Sequence, residues 1–281
     1  MNAEARSFPA PGKLNLMLRV VGRRADGYHL LQTVFRFIDY GDTLTFCLRR
    51  DGAINRVNAV EGVPVERDLA LCAARLLRDR AGAKAGVDIT LDKRLPLGGG
   101  LGGGSSDAAT TLLALNCLWE LELPRKRLLE LALELGADVP VFVFGENAWA
   151  EGVGEELRSV ALPPAWYVVL TPPVTVSTQR IFAHPGLKRD SKMVRIQSFS
   201  AAWPNENDLQ AVVCQEHPEI GRHLAWLSRF GRALLTGSGA CVFAAFDSAG
   251  EAREVLAKLP GSMTGFVARG LERHPLRDFA R

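Results

Sequence analysis

A run of glycines at positions 98–104 constrains this chain more than any other part of its sequence. Six of these seven positions are glycine, and only Leu101 interrupts them. Glycine is tolerated at this density where the backbone must adopt positive φ or approach another group closely. Ser105, Ser106 and Asp107 follow, and each of these residue types favours the N-cap of a helix. Apolar residues then recur at helical spacing, so the run predicts a loop that leads into a helix.

The segments on either side of the run indicate what this loop does. A strand-like alternation over residues 87–91 precedes it, and the predicted helix follows it. A glycine loop that ends at a helix N-terminus presents free N–H groups and the positive end of a helix dipole, and both attract phosphate. A flexible linker is the alternative, and the flanking strand and helix disfavour it. We therefore predict that the loop holds a phosphate group.

Two known phosphate-loop patterns fit the run poorly. No lysine follows the glycines, so the P-loop pattern is absent. Gly98, Gly100 and Gly103 formally match the dinucleotide pattern, but a run so rich in glycine meets it by chance. Residues 93–96 also separate the glycines from the preceding strand, and Pro96 keeps its predecessor extended. A nucleoside triphosphate is therefore favoured over a dinucleotide.

Composition narrows the class of protein without defining its chemistry. The 281 residues suit one large domain or two ordinary ones, and 47% hydrophobic with 23% charged residues is normal for a globular enzyme. The net charge is +3, and the short basic runs lack the interleaved aromatic residues of a nucleic-acid surface. No apolar run reaches the roughly 18 residues of a membrane span. The five cysteines show no metal or disulfide spacing. We expect a cytoplasmic protein that binds neither nucleic acid nor membrane.

Strand-like and helix-like segments are mixed along the chain without strict alternation, which predicts an α+β fold. The Leu162-Pro163-Pro164 segment is the best candidate for a linker, so we expect two domains, residues 1–162 and 163–281. The predicted elements that matter below are extended segments at residues 13–18, 32–38 and 43–48 and helices at residues 69–81 and 125–135.

Three polar residues stand in otherwise apolar segments. Asp138 lies within the sequence LGADVPVF, where it either caps a helix or acts as a general base for an acceptor hydroxyl. Lys13 and Asn15 share one face of the first predicted strand, and this face either meets solvent or lines a site. A lysine beside a carboxylate would keep that carboxylate ionised and oriented. Together with the loop N–H groups, such a pair would supply the positioning and charge neutralisation that phosphoryl transfer needs.

Two further segments are ambiguous from local sequence alone. Tyr28 and His29 follow a tight turn, where they either end a strand or stack on a nucleobase and hydrogen-bond to it. Residues 236–240 (TGSGA) are typical of a hairpin turn. Their small side chains would also let a ligand approach the backbone.

Three motifs in the same order resemble those of the GHMP kinases, a family that includes galactokinase and the homoserine, mevalonate and phosphomevalonate kinases. The three motifs are residues 96–106 (PLGGGLGGGSS), which resemble the phosphate-binding motif, residues 11–16 (PGKLNL) and residues 235–241 (LTGSGAC). Residues 22–29 (GRRADGYH) and 135–141 (LGADVPV) are similar to one branch, whose substrate carries a cytidine diphosphate. The resemblance covers nearly the whole chain.

The resemblance implies a fold and a reaction. The fold is two α+β domains, with ATP and substrate meeting in the cleft between them. The reaction transfers the γ-phosphoryl group of ATP, with Mg²⁺, to the 2-hydroxyl of a methylerythritol in isoprenoid precursor synthesis. Lys13 and Asp138 match the catalytic residues: Asp138 would accept the hydroxyl proton, and Lys13 would hold it ionised and oriented.

The same resemblance assigns binding residues. Asn15 would contact the substrate, Tyr28 and Phe182 would sandwich cytosine, and His29 would pair with its edge. The implied ATP site comprises Lys93, Pro96, Leu97, Gly98, Gly99, Gly100, Leu101, Gly102, Gly103, Gly104, Ser105 and Ser106. No metal ligand is assigned.

Two positions depart from the family pattern. Asp68 stands where relatives often have asparagine near the adenine, which leaves that contact open. Asp107 is asparagine in some relatives, and a carboxylate near a triphosphate is unfavourable unless it caps the helix or faces Mg²⁺. A monomer or weak homodimer is expected, because the sequence shows no strongly apolar surface stripe.

Overall fold

The structure is a computed structural model, and it describes residues 4–196 and 206–281. It has the α+β fold predicted from the sequence. The strands are β1 (Arg6–Arg23), β2 (His29–Arg49), β3 (Ile54–Arg56), β4 (Gly86–Asp92), β5 (Ala148–Glu151), β6 (Glu156–Ser159), β7 (Trp166–Leu170), β8 (Ala233–Leu235), β9 (Val242–Phe246) and β10 (Gly265–Arg269). The helices are α1 (Leu69–Ala81), α2 (Gly103–Leu118), α3 (Arg125–Leu135), α4 (Val139–Phe144), α5 (Thr178–Ala183), α6 (Gln210–Glu216), α7 (Pro218–Leu227) and α8 (Ala249–Ala257). Within the described ranges, none of these helices has the length and apolar character needed to cross a membrane.

The first sheet is built around one long hairpin. β1 pairs antiparallel with β2 over almost its whole length, and the other strands follow in the order β3-β4-β2-β5-β6. The two extended segments predicted at residues 32–38 and 43–48 are parts of the single strand β2. The prediction of two strands is wrong because Gly41 stays in the ladder opposite Pro11, so pairing with β1 continues through the segment between them.

Four helices, α1 to α4, share one apolar core with this sheet. α1 has the predicted bounds because Asp68 caps its start, accepting from the N–H of Ala70 at 2.9 Å, and Gly82 ends it with a φ of 66°. α2 is buried along most of its length, since its side chains are mainly small or apolar. The shared core includes Phe8, Phe37, Phe46, Leu71, Leu112, Leu128 and Phe142.

The second sheet is antiparallel throughout, with the strand order β10-β7-β9-β8. Its side chains form a second core with those of α5 to α8. This core includes Val168, Leu170, Ile181, Val213, Ile220, Leu227, Val242 and Ala252. The turn between β8 and β9 is residues 236–241, so the hairpin predicted there is confirmed.

A third apolar cluster joins the two sheets. Leu14, Leu16 and Met17 of β1 pack there with Val169 and Phe243 of the second sheet. Strand β1 also contributes side chains to the other two cores. Strand β1 therefore belongs to the first sheet and also packs against the second. Polar residues on β1 can reach a site between the two sheets. The division at residues 162 and 163 stays a prediction.

Candidate active site

A cavity of about 980 Å³ is lined by residues from both sheets and from the glycine loop. Ser106 is outside this lining; its buried hydroxyl donates to the carbonyl of Pro11 at 2.7 Å. The other predicted site residues all line the cavity: Lys13, Asn15, Tyr28, His29, Lys93, Pro96, Leu97, Gly98, Gly99, Gly100, Leu101, Gly102, Gly103, Gly104, Ser105, Asp138 and Phe182.

The glycine loop passes so close to its neighbours that side chains would not fit. Gly100 has a φ of 74°, and a Cβ there would lie 2.2 Å from the carbonyl oxygen of Thr236. Gly102 has a φ of 73°, and a Cβ there would lie 2.9 Å from the ring of Phe142. An L side chain would be strained at both positions, in backbone conformation as well as in space.

Backbone hydrogen bonds fix the loop on two sides. The carbonyl of Leu101 accepts from the N–H of Lys13 at 2.9 Å, and the carbonyl of Gly98 accepts from the N–H of Ala240 at 3.0 Å. The loop is therefore held between β1 and the turn at residues 236–241. This turn also lines the cavity, so it is both a hairpin turn and a wall of the site.

Helix α2 begins inside the glycine run. Gly102 is its N-cap residue, and the N–H of Ser106 already donates to the Gly102 carbonyl at 2.8 Å. The prediction that one of residues 105–107 caps the helix is therefore wrong, because the chain has turned before it reaches them. The first N–H groups of a helix have no partner within it. The first three residues of α2 line the cavity, so these donors lie at the site.

Lys13 and Asp138 form an ion pair at the cavity, with Nζ 3.2 Å from Oδ2. Asp138 occupies the N-cap position of α4, but its side chain makes no capping hydrogen bond. The helix-cap alternative therefore gives the position of Asp138 correctly, but its carboxylate does not cap the helix. The lysine side chain is 2% exposed and the aspartate side chain 40% exposed. A buried cation thus holds a carboxylate that is open to the cavity.

Asn15 and the glycine loop hold the ammonium group of Lys13. Nζ donates to Oδ1 of Asn15 at 2.6 Å and to the carbonyl of Gly100 at 3.0 Å. Asn15 is fixed in turn, because its Nδ2 donates to Thr33 Oγ1 at 2.9 Å and its N–H donates to Thr236 Oγ1 at 3.1 Å. Both residues of this strand face are buried, so the solvent-facing alternative is wrong.

Aromatic side chains line the same cavity near the start of β2. The ring of Tyr28 is mostly exposed, and the ring of His29 packs against Phe182 with centroids 4.9 Å apart. Nε of Arg189 donates to Nε2 of His29 at 3.1 Å. Burial lowers the pKa of His29, and the charges of Arg189 and Arg23 lower it further.

Models of the GHMP kinase N terminal and C terminal domains match residues 68–146 and 188–264. A 4-diphosphocytidyl-2-C-methyl-D-erythritol kinase of Thiobacillus denitrificans is 62% identical, covering 98% of this chain and 99% of that protein. The chain belongs to the GHMP kinase family. A kinase of the same name from Nitrosospira multiformis is 58% identical, covering 98% of this chain and 94% of that protein.

A solved structure has the same fold as this GHMP kinase. The crystal structure of a 4-(cytidine 5'-diphospho)-2C-methyl-D-erythritol kinase is 33% identical with a TM-score of 0.82, covering 94% of this chain and 99% of that one. The family and the branch expected from the sequence motifs are confirmed. The roles of individual site residues stay predictions.

In this GHMP kinase two carboxylates share the ammonium group of Lys93. Its Nζ lies 2.5 Å from Oδ2 of Asp42 and 2.6 Å from Oδ2 of Asp107. Burial opposes the charge of Lys93, but the two carboxylates outweigh it and raise the lysine pKa. Burial, together with the charge of Asp42 and against the pull of Lys93, raises the pKa of Asp107 to about 7. Asp107 therefore does not cap α2, and it lies outside the cavity lining, where it is paired with Lys93.

Asp68 has a structural role in this kinase. Besides capping α1, it accepts from Nη1 of Arg56 at 2.9 Å through its second oxygen. Its side chain is buried, and it is not part of the cavity lining, although its neighbour Leu69 is. Both oxygens of the Asp68 carboxylate accept hydrogen bonds from the protein. Neither oxygen is therefore free for the contact with adenine that the sequence left open.

Sequence reasoning missed several residues that support the site. Asp42 and Arg189 were not identified. Asp42 fixes Lys93 and Arg189 fixes His29, and both of these partners were predicted. Phe35 lies under Lys13, with Nζ 5.5 Å from the ring centroid. The sequence separations are 51 residues for Asp42 and 160 for Arg189. Such contacts follow from tertiary packing, and no local pattern in the sequence marks them.

Proposed function

We propose that this protein uses ATP to phosphorylate the 2-hydroxyl of 4-diphosphocytidyl-2-C-methyl-D-erythritol, in the non-mevalonate synthesis of isoprenoid precursors. The observation that carries the proposal is the Lys13–Asp138 pair, 3.2 Å apart and in one cavity with the glycine loop and Tyr28. A phosphate cradle, a carboxylate and an aromatic platform thus line a single space. Transfer from a nucleotide to a cytidine-bearing alcohol needs all three. The names of the relatives support the choice of alcohol.

Asp138 acts on the acceptor alcohol. Its carboxylate takes the proton of the 2-hydroxyl while that oxygen bonds to the γ-phosphorus and the bond from phosphorus to the leaving ADP oxygen breaks. Help of this kind contributes roughly 10²–10⁴-fold to the rate. Lys13 holds the carboxylate in position, because its own Nζ is fixed by Asn15 and by the carbonyl of Gly100.

The glycine loop and the start of α2 bind the triphosphate of ATP. The free N–H groups of residues 103–105 and the positive end of the helix dipole stabilise negative charge there. Gly100 and Gly102 let the loop pack directly against Thr236 and Phe142, and this packing holds the loop backbone at the cavity. Lys93 also lines the cavity, and Asp42 and Asp107 hold its ammonium group in place there.

Mg²⁺ accompanies ATP in this proposal and neutralises phosphate charge. Among the residues that the structure describes, no group of three or more His, Cys, Asp or Glu side chains is placed to hold a metal. Mg²⁺ commonly takes only one or two protein oxygens and completes its shell with phosphates and water. We assign the Ser105 hydroxyl to it, because Ser105 lines the cavity in the first turn of α2.

Tyr28, His29 and Phe182 bind the cytosine ring. The exposed ring of Tyr28 and the ring of Phe182 supply π-faces for stacking, which is worth roughly 1–3 kcal/mol per base. His29 meets the polar edge of the base, and Asn15 contacts the substrate beside Lys13. All four residues line the cavity that also holds the loop.

A substrate panel tests the proposal directly. ADP release from ATP and Mg²⁺ is measured with 4-diphosphocytidyl-2-C-methyl-D-erythritol, mevalonate, homoserine and galactose. We expect turnover with the cytidine compound alone. Turnover with another alcohol would keep the kinase reaction and remove the base-binding assignment. A lack of turnover with all four would mean that the loop binds a phosphate which the protein does not transfer.

A further inference from the structure

We infer that Arg189 makes the site selective for cytosine over uracil by fixing the tautomer of His29. The inference rests on the proposed function, in which His29 meets the edge of the base. Nε of Arg189 lies 3.1 Å from Nε2 of His29. A guanidinium stays protonated and can only donate hydrogen bonds. Nε2 of His29 must therefore be the acceptor.

Arg189 cannot easily turn away from this contact. Its Nη1 donates to the carbonyl of Leu187 at 3.0 Å, and its Nη2 donates to the carbonyls of Phe182 and His184, each at 2.8 Å. All three nitrogens of the guanidinium are thus engaged with acceptors. A rigid donor of this kind sets the protonation pattern of the ring it faces.

The imidazole of His29 is neutral in this setting, so the position of its single proton matters. Burial and the charges of Arg189 and Arg23 all lower the pKa of His29. Because Nε2 accepts from Arg189, the proton of the neutral ring lies on Nδ1. Among the described residues none hydrogen-bonds to Nδ1. His29 lines the cavity, so this N–H is available to a ligand.

A fixed Nδ1–H donor distinguishes the two pyrimidines. Cytosine presents a lone pair at N3 of its pairing edge, whereas uracil presents an N–H there. The His29 donor matches cytosine and meets uracil donor to donor. A histidine without the Arg189 contact could move its proton to Nε2 and accept from uracil. Arg189 therefore contributes selectivity by keeping His29 in the tautomer that cannot accept a hydrogen bond from uracil. A polar group left unpaired in the complex penalises binding of that substrate strongly.

Two measurements test the inference. The long-range ¹⁵N–¹H NMR spectrum of the wild-type protein reports which nitrogen of His29 is protonated, and we expect Nδ1. The second measurement compares kcat/KM for the cytidine substrate with that for its uridine analogue. We expect a wild-type preference for cytidine of at least about 100-fold. In Arg189→Met this preference should fall about 10-fold or more, and the His29 spectrum should show the Nε2–H tautomer.

A purely structural role of Arg189 gives a different result. Loss of the hydrogen bond from Arg189 to the carbonyl of Phe182 would let Phe182 move. That movement would lower kcat/KM for both substrates in parallel and leave their ratio unchanged. Arg222→Met is the matched control, because Arg222 lies exposed on α7 and pairs with Glu219 of the same helix. In a His29→Phe background, Arg189→Met should not change the ratio further.

The outcomes separate this inference from the proposed function. A wild-type His29 protonated at Nε2, or an unchanged base preference in Arg189→Met, would overturn the inference. The wild-type spectrum needs neither a substrate nor a variant, so it decides the tautomer even where Arg189→Met does not fold. Failure of the wild-type protein to turn over the cytidine compound would instead overturn the proposed function.

Discussion

Asp138 is the residue on which the proposed chemistry depends most directly. Asp138→Asn keeps the size of the side chain and removes its capacity to take a proton. We expect kcat to fall roughly 10²–10⁴-fold, with little change in KM for ATP, because the glycine loop is untouched. Steady-state kinetics measures both constants. Asp79→Asn is the control, since Asp79 is exposed and pairs with its neighbour Arg78. A nearly normal kcat would remove the role assigned to Asp138.

The proposed role of Tyr28 in stacking depends on its aromatic ring and not on its hydroxyl group. Tyr28→Ala should raise KM for the cytidine substrate roughly 5–150-fold, the range that corresponds to the loss of one stacked base. Tyr28→Phe retains the ring and should leave KM within about twofold. Kinetics at saturating ATP checks both variants. An unchanged KM in Tyr28→Ala would mean that the base does not stack there.

Asp107 makes stability depend on pH. Burial raises its pKa to about 7 in the folded protein, while an unfolded aspartate titrates near about 4. Between these values the folded state holds a proton that the unfolded chain has lost, so the contribution of Asp107 to stability falls as pH rises from about 4 to about 7. Asparagine does not titrate, so the Tm of Asp107→Asn relative to wild type should increase over this window. A constant difference in calorimetric scans from pH 4.5 to 8 would show that Asp107 is ionised throughout.

Elements whose ends are set by local capping are the ones that the sequence predicts well. The bounds of α1 and α3 match the prediction because a cap at Asp68 and glycines at positions 82 and 136 act within one turn of the chain. The start of α2 is set otherwise. Its N-terminus is fixed by contacts of the glycine loop with Lys13 and with Ala240, and both are distant in sequence. Three good cap residues are thereby left unused.

The glycine loop gives a prediction at the scale of an element. Gly100→Ala would place a Cβ 2.2 Å from the Thr236 carbonyl, so the loop must move away from the turn at residues 236–241. We expect KM for ATP to rise about 10-fold or more. Gly82→Ala is the matched control: its φ is 66°, similar to that of Gly100, but nothing lies within 4 Å of the added Cβ. It should cost about 1–2 kcal/mol of stability and leave KM for ATP unchanged. Equal effects of the two variants on KM would contradict a close contact of the loop with the turn.

At the scale of the whole molecule, the motifs predict which residues meet but not what holds them. Lys13, Asp138 and the glycine loop line one cavity as expected. Asp42 contacts Lys93 from 51 residues away in sequence, and Arg189 contacts His29 from 160 residues away. Only the tertiary packing brings these partners together. The cytoplasmic location and the monomeric or weakly dimeric state stay predictions.

The end of the chain returns to the first core. Leu276 and Ala280 are buried there, and the ring of Phe279 packs against Phe8 with centroids 5.7 Å apart. Arg125 at the start of α3 fixes this tail, because its Nη2 donates to the carbonyl of Ala280 at 2.6 Å. The tail therefore stabilises the half of the molecule that carries Asp138, although it lies beyond the second sheet in sequence.

Deletion of residues 276–281 tests this dependence. It exposes apolar core surface and removes the carbonyls of Arg277 and Ala280 that accept from Nη2 of Arg125, so we expect Tm to fall by roughly 5–15 °C. Asp278→Ala is the control in the same segment. Asp278 is exposed and pairs with exposed Arg273, and surface ion pairs of this kind contribute at most about 1 kcal/mol. Differential scanning calorimetry compares both variants with wild type. A Tm within about 2 °C of wild type in the deletion variant would mean that the first core is stable without the tail, as the predicted boundary at residues 162 and 163 implies.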